Sequence, residues 1–245
     1  MKKILLYSGG LDSLCAKHIL ESKGEDFEPV YFYFKTPYCD KELRAIERYN
    51  KEVAEIYGFK KIKIESLSCL DDTGFKDYHI PYRNMLLVIF ASLRYVERKE
   101  KVIIYLPQIL EVGRDKNTLW EIFLNLLFII HGYKVKVKRP FRFVSKRKMI
   151  KLSGLSKSFI DRYSYSCHNG VENPEKECGS CVGCTERQRA FYRAGISDKD
   201  ADYWGRLRKT GWNPLQPVYI LDIPVVFLMY LEEFYWFLRD RFFKK

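Results

Sequence analysis

Five short apolar runs, each set apart from the next by a stretch long enough for a helix, occupy the chain up to Phe141. They fall at residues 4–7, 29–34, 61–67, 102–106 and 134–141. Helical spacing fills the intervals: residues 12–23 closing near Gly24, residues 40–58 with Asp40 as cap and Gly58 as stop, then residues 83–101 and 117–132. Strands alternating with helices of this length predict βαβ units, an α/β fold with a mostly parallel sheet and helices on both faces. With 47 % apolar and 30 % charged residues the chain is globular rather than disordered. Its texture changes after Lys146. The expected division is an α/β domain over residues 1–150, a cysteine-bearing region over 151–200 and an aromatic-rich tail over 201–245.

At the end of the first run stands SGGLDS, residues 8–13. In open α/β sheets, ligands bind beyond the carboxyl ends of the strands. Glycines there let the backbone turn sharply and approach a phosphate, and the helix that follows offers free N–H groups and a partial positive charge. Ser8 and Ser13 can add hydroxyl donors, and Asp12 can cap the helix or help hold magnesium. The string is neither a Walker loop nor a G-x-G-x-x-G fingerprint. It suits the pyrophosphate part of a nucleotide. The plainer alternative is a βα turn of small residues with Asp12 or Ser13 as N-cap.

Cys167, Cys178, Cys181 and Cys184 form a second cluster. Two consecutive C-x-x-C steps place three sulfurs within reach of one ion, and Cys167 returns across a loop to complete a tetrahedron. Four thiolates with no open position describe a structural zinc site. The other chemistries open to such a set are an iron–sulfur cluster and a redox pair; its tight clustering beside a basic helix favours zinc. His168 reads as an ordinary loop histidine, and Cys15, Cys39 and Cys69 as isolated thiols.

The SGG-x-D-S string resembles the signature of the PP-loop ATP pyrophosphatases. Together with the cysteine set followed by TERQRAFYRAGISD (185–198), it resembles the QueC family of 7-cyano-7-deazaguanine synthases. PYRNMLLVIFAS (81–92) is similar to that family's P-G-R-N segment, with Tyr82 in place of glycine, and YSCHNG (165–170) is similar to its approach to the first zinc ligand. The resemblance covers roughly residues 1–198. It implies an adenine-nucleotide alpha hydrolase-like fold and an ATP-dependent ligase. The expected reaction converts 7-carboxy-7-deazaguanine, ammonia and ATP into the nitrile through an adenylated carboxylate and an amide. It implies ATP binding by Tyr7, Ser8, Gly9, Gly10, Leu11, Asp12, Ser13 and Leu14, with magnesium, and a structural zinc ion on the four cysteines. Arg83, Asn84, Asp115 and Lys146 are implied near substrate or nucleotide, Lys146 by its nearness to a family lysine before the sheet's last strand. Residues 105–123 depart from the family: Gly113 and Asp115 can be placed, but the Y-P-D-C core is absent. The pocket is then expected to take a different acid, or the same acid by other contacts.

The net charge of +12 suits polyanionic partners, though the basic residues are dispersed. A second reading keeps the scaffold and makes a tRNA base the target, using WGRLRKTGW (204–212) for RNA. No recognisable RNA-binding module accompanies it, so nucleic acid is not the favoured partner. A third reading is a zinc-stabilised binding module without catalysis. Only four residues separate Met1-Lys2-Lys3 from Ser8, far short of a leader peptide, so a cytoplasmic protein is expected. In the tail, Asp222, Pro224, Glu232 and Glu233 interrupt the apolar run, so it is expected to pack on the core or on a partner subunit of a homodimer rather than to span a membrane.

Overall fold

The structure, a computed structural model, describes residues 1–34, 39–67, 83–96, 100–108, 119–168 and 177–197. Five parallel strands form its sheet: β1 (Lys2–Tyr7), β2 (Glu28–Tyr33), β3 (Lys63–Ser66), β4 (Val102–Tyr105) and β5 (Val135–Lys138). Their order is β3-β2-β1-β4-β5. The chain thus builds outward from β1 on one side, then crosses over β1 and continues on the other. That reversal puts a topological switch point between β1 and β4, where an open sheet leaves a crevice at its carboxyl ends.

Alternation along the strands assigns the two faces. Leu5, Tyr7, Tyr31, Ile103 and Tyr105 point to one core, built with helices α1 (Leu11–Ser22), α2 (Cys39–Tyr49), α6 (Lys146–Ser153), α7 (Lys157–Tyr163) and α8 (Val182–Ala194). Ile4, Leu6, Val30, Phe32 and Ile104 point to the other, covered by α4 (Arg83–Tyr95) and α5 (Leu119–Ile130). The central strands are buried on both faces, as parallel strands between helix layers are. Among the described residues no helix is long and apolar enough to cross a membrane.

The expected helix over residues 40–58 is three pieces. α2 runs to Tyr49, a π-helical stretch covers Asn50–Ala54, and the short α3 (Glu55–Tyr57) ends on Gly58 in the left-handed conformation. Asp40 lies in the first turn of α2 instead of capping it, and its carboxylate accepts from the Tyr33 hydroxyl at 2.7 Å. Among the described residues Lys146 follows β5, the last strand of the sheet. Residue 150 lies inside α6, and residues of α7 and α8 share the first core with the sheet. The tail over 201–245, the expected Asp115 and Gly113, and Cys69 lie outside the described residues.

Candidate active site

β1 ends at Tyr7 and α1 begins at Leu11, so the turn has only Ser8, Gly9 and Gly10 in which to reverse direction. Gly9 sits at φ +72°, and a Cβ placed there would meet the Glu42 side chain at 2.8 Å. Backbone conformation and crowding both require glycine at that point. Gly10 is the N-cap of α1, with extended backbone and no capping side chain. The helix therefore presents its opening N–H groups, with the positive end of its dipole, to whatever lies against the turn. Ser13 does not cap: its hydroxyl donates to the Gly10 carbonyl at 2.9 Å and accepts from the Ser8 hydroxyl at 3.2 Å. Nor does Asp12, whose carboxylate lies 3.4 Å from the Lys146 ammonium. Tyr7, Leu11 and Leu14 are buried in the first core.

Lys146 enters from the first turn of α6, whose N-cap Ser145 accepts from the Lys148 N–H. Its ammonium lies between Asp12 and Glu186 of α8, 3.1 Å from the latter. Burial disfavours its charge, but the two carboxylates more than offset that and hold its pKa above the ordinary lysine value. One cation thus joins the glycine turn to the helix that follows the cysteines.

Glu42 on α2 was not singled out by sequence, because a lone glutamate on a charged helix carries no local signal. It packs against Gly9 and accepts from the Tyr31 hydroxyl at 2.9 Å. Burial pushes its carboxyl up to about 7, against the opposing pull of the Arg83 charge and the Tyr31 hydrogen bond. Arg83 opens α4, and its charge also acts on His168. Arg83 is therefore near the same mouth as Gly9 and the cysteine loop. Asn84 is the second residue of α4 and half-buried.

The cysteine cluster abuts this turn. The Tyr165 N–H donates to the Gly9 carbonyl at 2.8 Å. Two residues later stands Cys167, whose sulfur is 4.0 Å from that of Cys181; Cys178 and Cys184 are 3.9 Å apart. All four sulfurs lie within 4.8 Å of one another. Metal–sulfur bonds of about 2.3 Å directed to a tetrahedron give edges of about 3.8 Å, so the four can hold one metal ion. Backbone N–H groups already point at the sulfurs: His168 and Cys184 at Cys181, Ser180 and Cys181 at Cys178, and Cys178 at Cys167, at 3.3–3.5 Å. The Cys181 thiol is pulled down to about 3, chiefly by the hydrogen bond from the Cys184 thiol and then by these N–H donors, against the cost of burial. His168 contributes its backbone to the cluster. Cys15 and Cys39 are buried, and Cys39 packs in the same apolar cluster as Cys167 and Cys184.

Two residues make the cluster possible. A Cβ on Gly183 would fall 2.0 Å from the Ser166 carbonyl, so only glycine lets α8 start against the loop. Arg187, 3 % exposed, donates to the Ser164 and Ile160 carbonyls and the Ser164 hydroxyl and pairs with Asp161 at 2.9 Å, tying α8 to the end of α7.

A family model described as Queuosine biosynthesis protein QueC matches residues 2–195, four-fifths of the chain. The chain belongs to this family. The 7-cyano-7-deazaguanine synthase of Methanococcus aeolicus is 27 % identical over 235 residues, covering 81 % of this chain and 97 % of that protein. The 7-cyano-7-deazaguanine synthase 1 of Sulfurisphaera tokodaii is 29 % identical over 205 residues, covering 81 % and 96 %. The synthase of Methanocaldococcus jannaschii is 27 % identical over 232 residues, covering 81 % and 98 %. The resemblance drawn from the glycine turn and the cysteine spacing therefore holds across the QueC-like part of the chain.

Proposed function

We propose that this protein is an ATP-dependent carbon–nitrogen ligase that converts 7-carboxy-7-deazaguanine and ammonia into 7-cyano-7-deazaguanine. The observation that carries the reading is the turn at Gly9 and Gly10. It opens α1 at the sheet's switch point, with Lys146 held beside Asp12, in a chain of the QueC family. The α1 N–H groups and the Lys146 ammonium take the pyrophosphate end of ATP, and Arg83 adds charge for the second anion. In this site the substrate carboxylate attacks the α-phosphorus and pyrophosphate leaves. Ammonia then displaces AMP from the acyl carbon, giving an amide. An amide becomes a nitrile only after its oxygen is made a leaving group, which a second adenylation provides. Magnesium suits phosphates and a single carboxylate, and Asp12 is the carboxylate in place.

Cys167, Cys178, Cys181 and Cys184 would hold zinc, which supplies cross-linking and no chemistry at a closed four-thiolate site. What this chain does there is to bring the segment 164–168 onto the Gly9 carbonyl and Glu186 onto Lys146.

The test is to incubate folded, metal-assayed protein with ATP, magnesium, ammonium and 7-carboxy-7-deazaguanine and to read the small molecules by mass spectrometry. The expected result is the nitrile with AMP and pyrophosphate. Asp12→Asn is expected to lower turnover by about tenfold or more, since it removes one of the two carboxylates that hold Lys146 and the one placed for magnesium. Absence of amide, nitrile and AMP from folded protein would overturn the proposal.

A further inference from the structure

The basic residues, dispersed along the chain as a whole, stand unopposed in one stretch. KVKVKRPFRFVSKRKMIK, residues 134–151, holds nine lysines and arginines and no aspartate or glutamate. Arg139 is held by Glu121, and Lys146 by Asp12 and Glu186. Lys134, Lys136, Lys138, Lys148 and Lys151 are exposed, and none of them has a carboxylate partner among the described residues. The opposite edge of the sheet is built differently. There Lys60 pairs with Asp26, Lys61 with Glu55 and Lys63 with Glu65. A surface kept only for solubility mixes both signs, as that edge does.

The fold sets these lysines in two rows. Lys136 and Lys138 lie in register with Ile103 and Tyr105 of β4 and share their face. Ile103 and Tyr105 are buried by the helices of that face, whereas the two lysines are exposed. The helix layer therefore ends over β4 and leaves β5 as a ledge. Along it Lys136 and Lys138 are about 6.6 Å apart, and Lys134 precedes them. Residues 139–145 return the chain to α6, which turns Met149 and Ile150 into the core and Lys148 and Lys151, one turn apart, to solvent. A helix is about 10 Å across, so strand and helix form a step with lysines on its floor and along its wall. Exposed rings mark its ends: Tyr133, 41 % exposed, before β5, and Phe143, 56 % exposed, after it, with the Arg142 guanidinium 5.3 Å from the Phe143 ring centroid. Lysines on an edge strand guard against pairing with another strand. Here Asn125 already takes the Val137 N–H and carbonyl, and guarding an edge gives no reason for the lysines of α6.

The step selects among polyanions. A lipid surface is flat, and one resting on α6 stays about a helix diameter from the strand lysines. A single nucleic-acid strand lies along the step, brings phosphates to both rows and stacks its bases on exposed rings. We propose that the β5–α6 step binds single-stranded nucleic acid, with phosphates on Lys134, Lys136, Lys138, Lys148 and Lys151 and bases on Tyr133 and Phe143. This surface is separate from the reaction at the glycine turn, and its test stands whether or not that reaction is found. RNA and DNA share this chemistry, so both serve as probes. Fluorescence anisotropy follows labelled oligouridylate and oligothymidylate, each about twelve nucleotides long, binding to the full chain between about 50 and 400 mM potassium chloride. The expected slope of log K against log salt is about −3.5 for one or both, about −0.7 for each of five lysines. Lys136→Ala, Lys138→Ala and Lys148→Ala together are expected to bring the slope to about −1.4 and to weaken binding tenfold or more at about 100 mM salt. Lys60→Ala, Lys61→Ala and Lys63→Ala, which remove the same charge from the paired edge, are expected to change neither; the urea midpoint of each variant checks that it is folded. Four results overturn the proposal: no binding of either oligonucleotide; a parental slope shallower than about −1.5; equal losses in the two triple variants; and polyglutamate of equal charge displacing the oligonucleotide completely, which assigns the step to an acidic protein. Retention on phosphatidylglycerol vesicles without oligonucleotide binding overturns it as well and assigns the surface to a membrane.

Discussion

His18 shows how much one buried ring can set the pH limits of this molecule. It sits on α1 among Phe59, Phe159 and Tyr49, with its Nε2 3.1 Å from the Tyr49 hydroxyl. Burial, and then the charge of Lys17, lower its pKa from 6.5 to about 4. The unfolded chain takes up a proton there as pH falls through 6.5, and the folded chain does not until about 4. Stability is therefore lost on acidification across that window, by about 2 kcal/mol between pH 7 and pH 5 from this residue alone. Urea unfolding at the two pH values is expected to show a difference smaller by that amount in His18→Gln than in the parent protein. Residues of this kind leave no mark in a one-dimensional reading. Gly9, Gly10 and the four cysteines were legible because a turn and a metal site each demand particular residue types at short spacing. Glu42 was not, and although Glu186 and Arg187 stand in the TERQRAFYRAGISD string, their roles were not legible either, because the partners of all three lie far away in the chain.

At the scale of elements, both outer strands of the sheet are finished by an asparagine on a helix. Asn50, at the start of the π-helical stretch, exchanges two hydrogen bonds of 2.8 Å with the Ile62 backbone at the approach to β3. Asn125 on α5 accepts from the Val137 N–H at 2.8 Å and donates to its carbonyl at 3.3 Å on β5. Each side chain stands in for the strand that an edge lacks. Asn125→Ala is expected to cost about 1–3 kcal/mol, the usual penalty for leaving a buried backbone pair unsatisfied, measured as a shift in urea midpoint without a change in slope. Five strands and the helices between them were readable from apolar periodicity. The break of the expected 40–58 helix was not: the widened turn places Asn50 over Ile62, a tertiary demand that periodicity does not carry. α7 likewise escaped notice, since seven residues with a serine cap make too short a pattern to register.

For the whole molecule, the two sequence motifs prove to be one assembly. They are some 155 residues apart along the chain, yet the Tyr165 N–H closes on Gly9 and Lys146 links Asp12 to Glu186. Removing the metal is then expected to do two things at once. Chelation at neutral pH should lower the unfolding temperature by roughly 10 °C, given the folding energy such sites contribute. It should also weaken ATP binding in a nucleotide titration, because the loop that seats Tyr165 on Gly9 loses its anchor. Unchanged nucleotide affinity in metal-free protein that remains folded would show that the two motifs are neighbours without being coupled. The same bond has a bearing on how the protein is made. The glycine turn is synthesised more than 150 residues before Tyr165, the residue whose N–H donates to its Gly9 carbonyl. A nascent or prematurely released chain that stops short of the last cysteine contains every residue of the turn and lacks what closes it. Closure of the turn is thus expected only when translation has passed the cysteine loop.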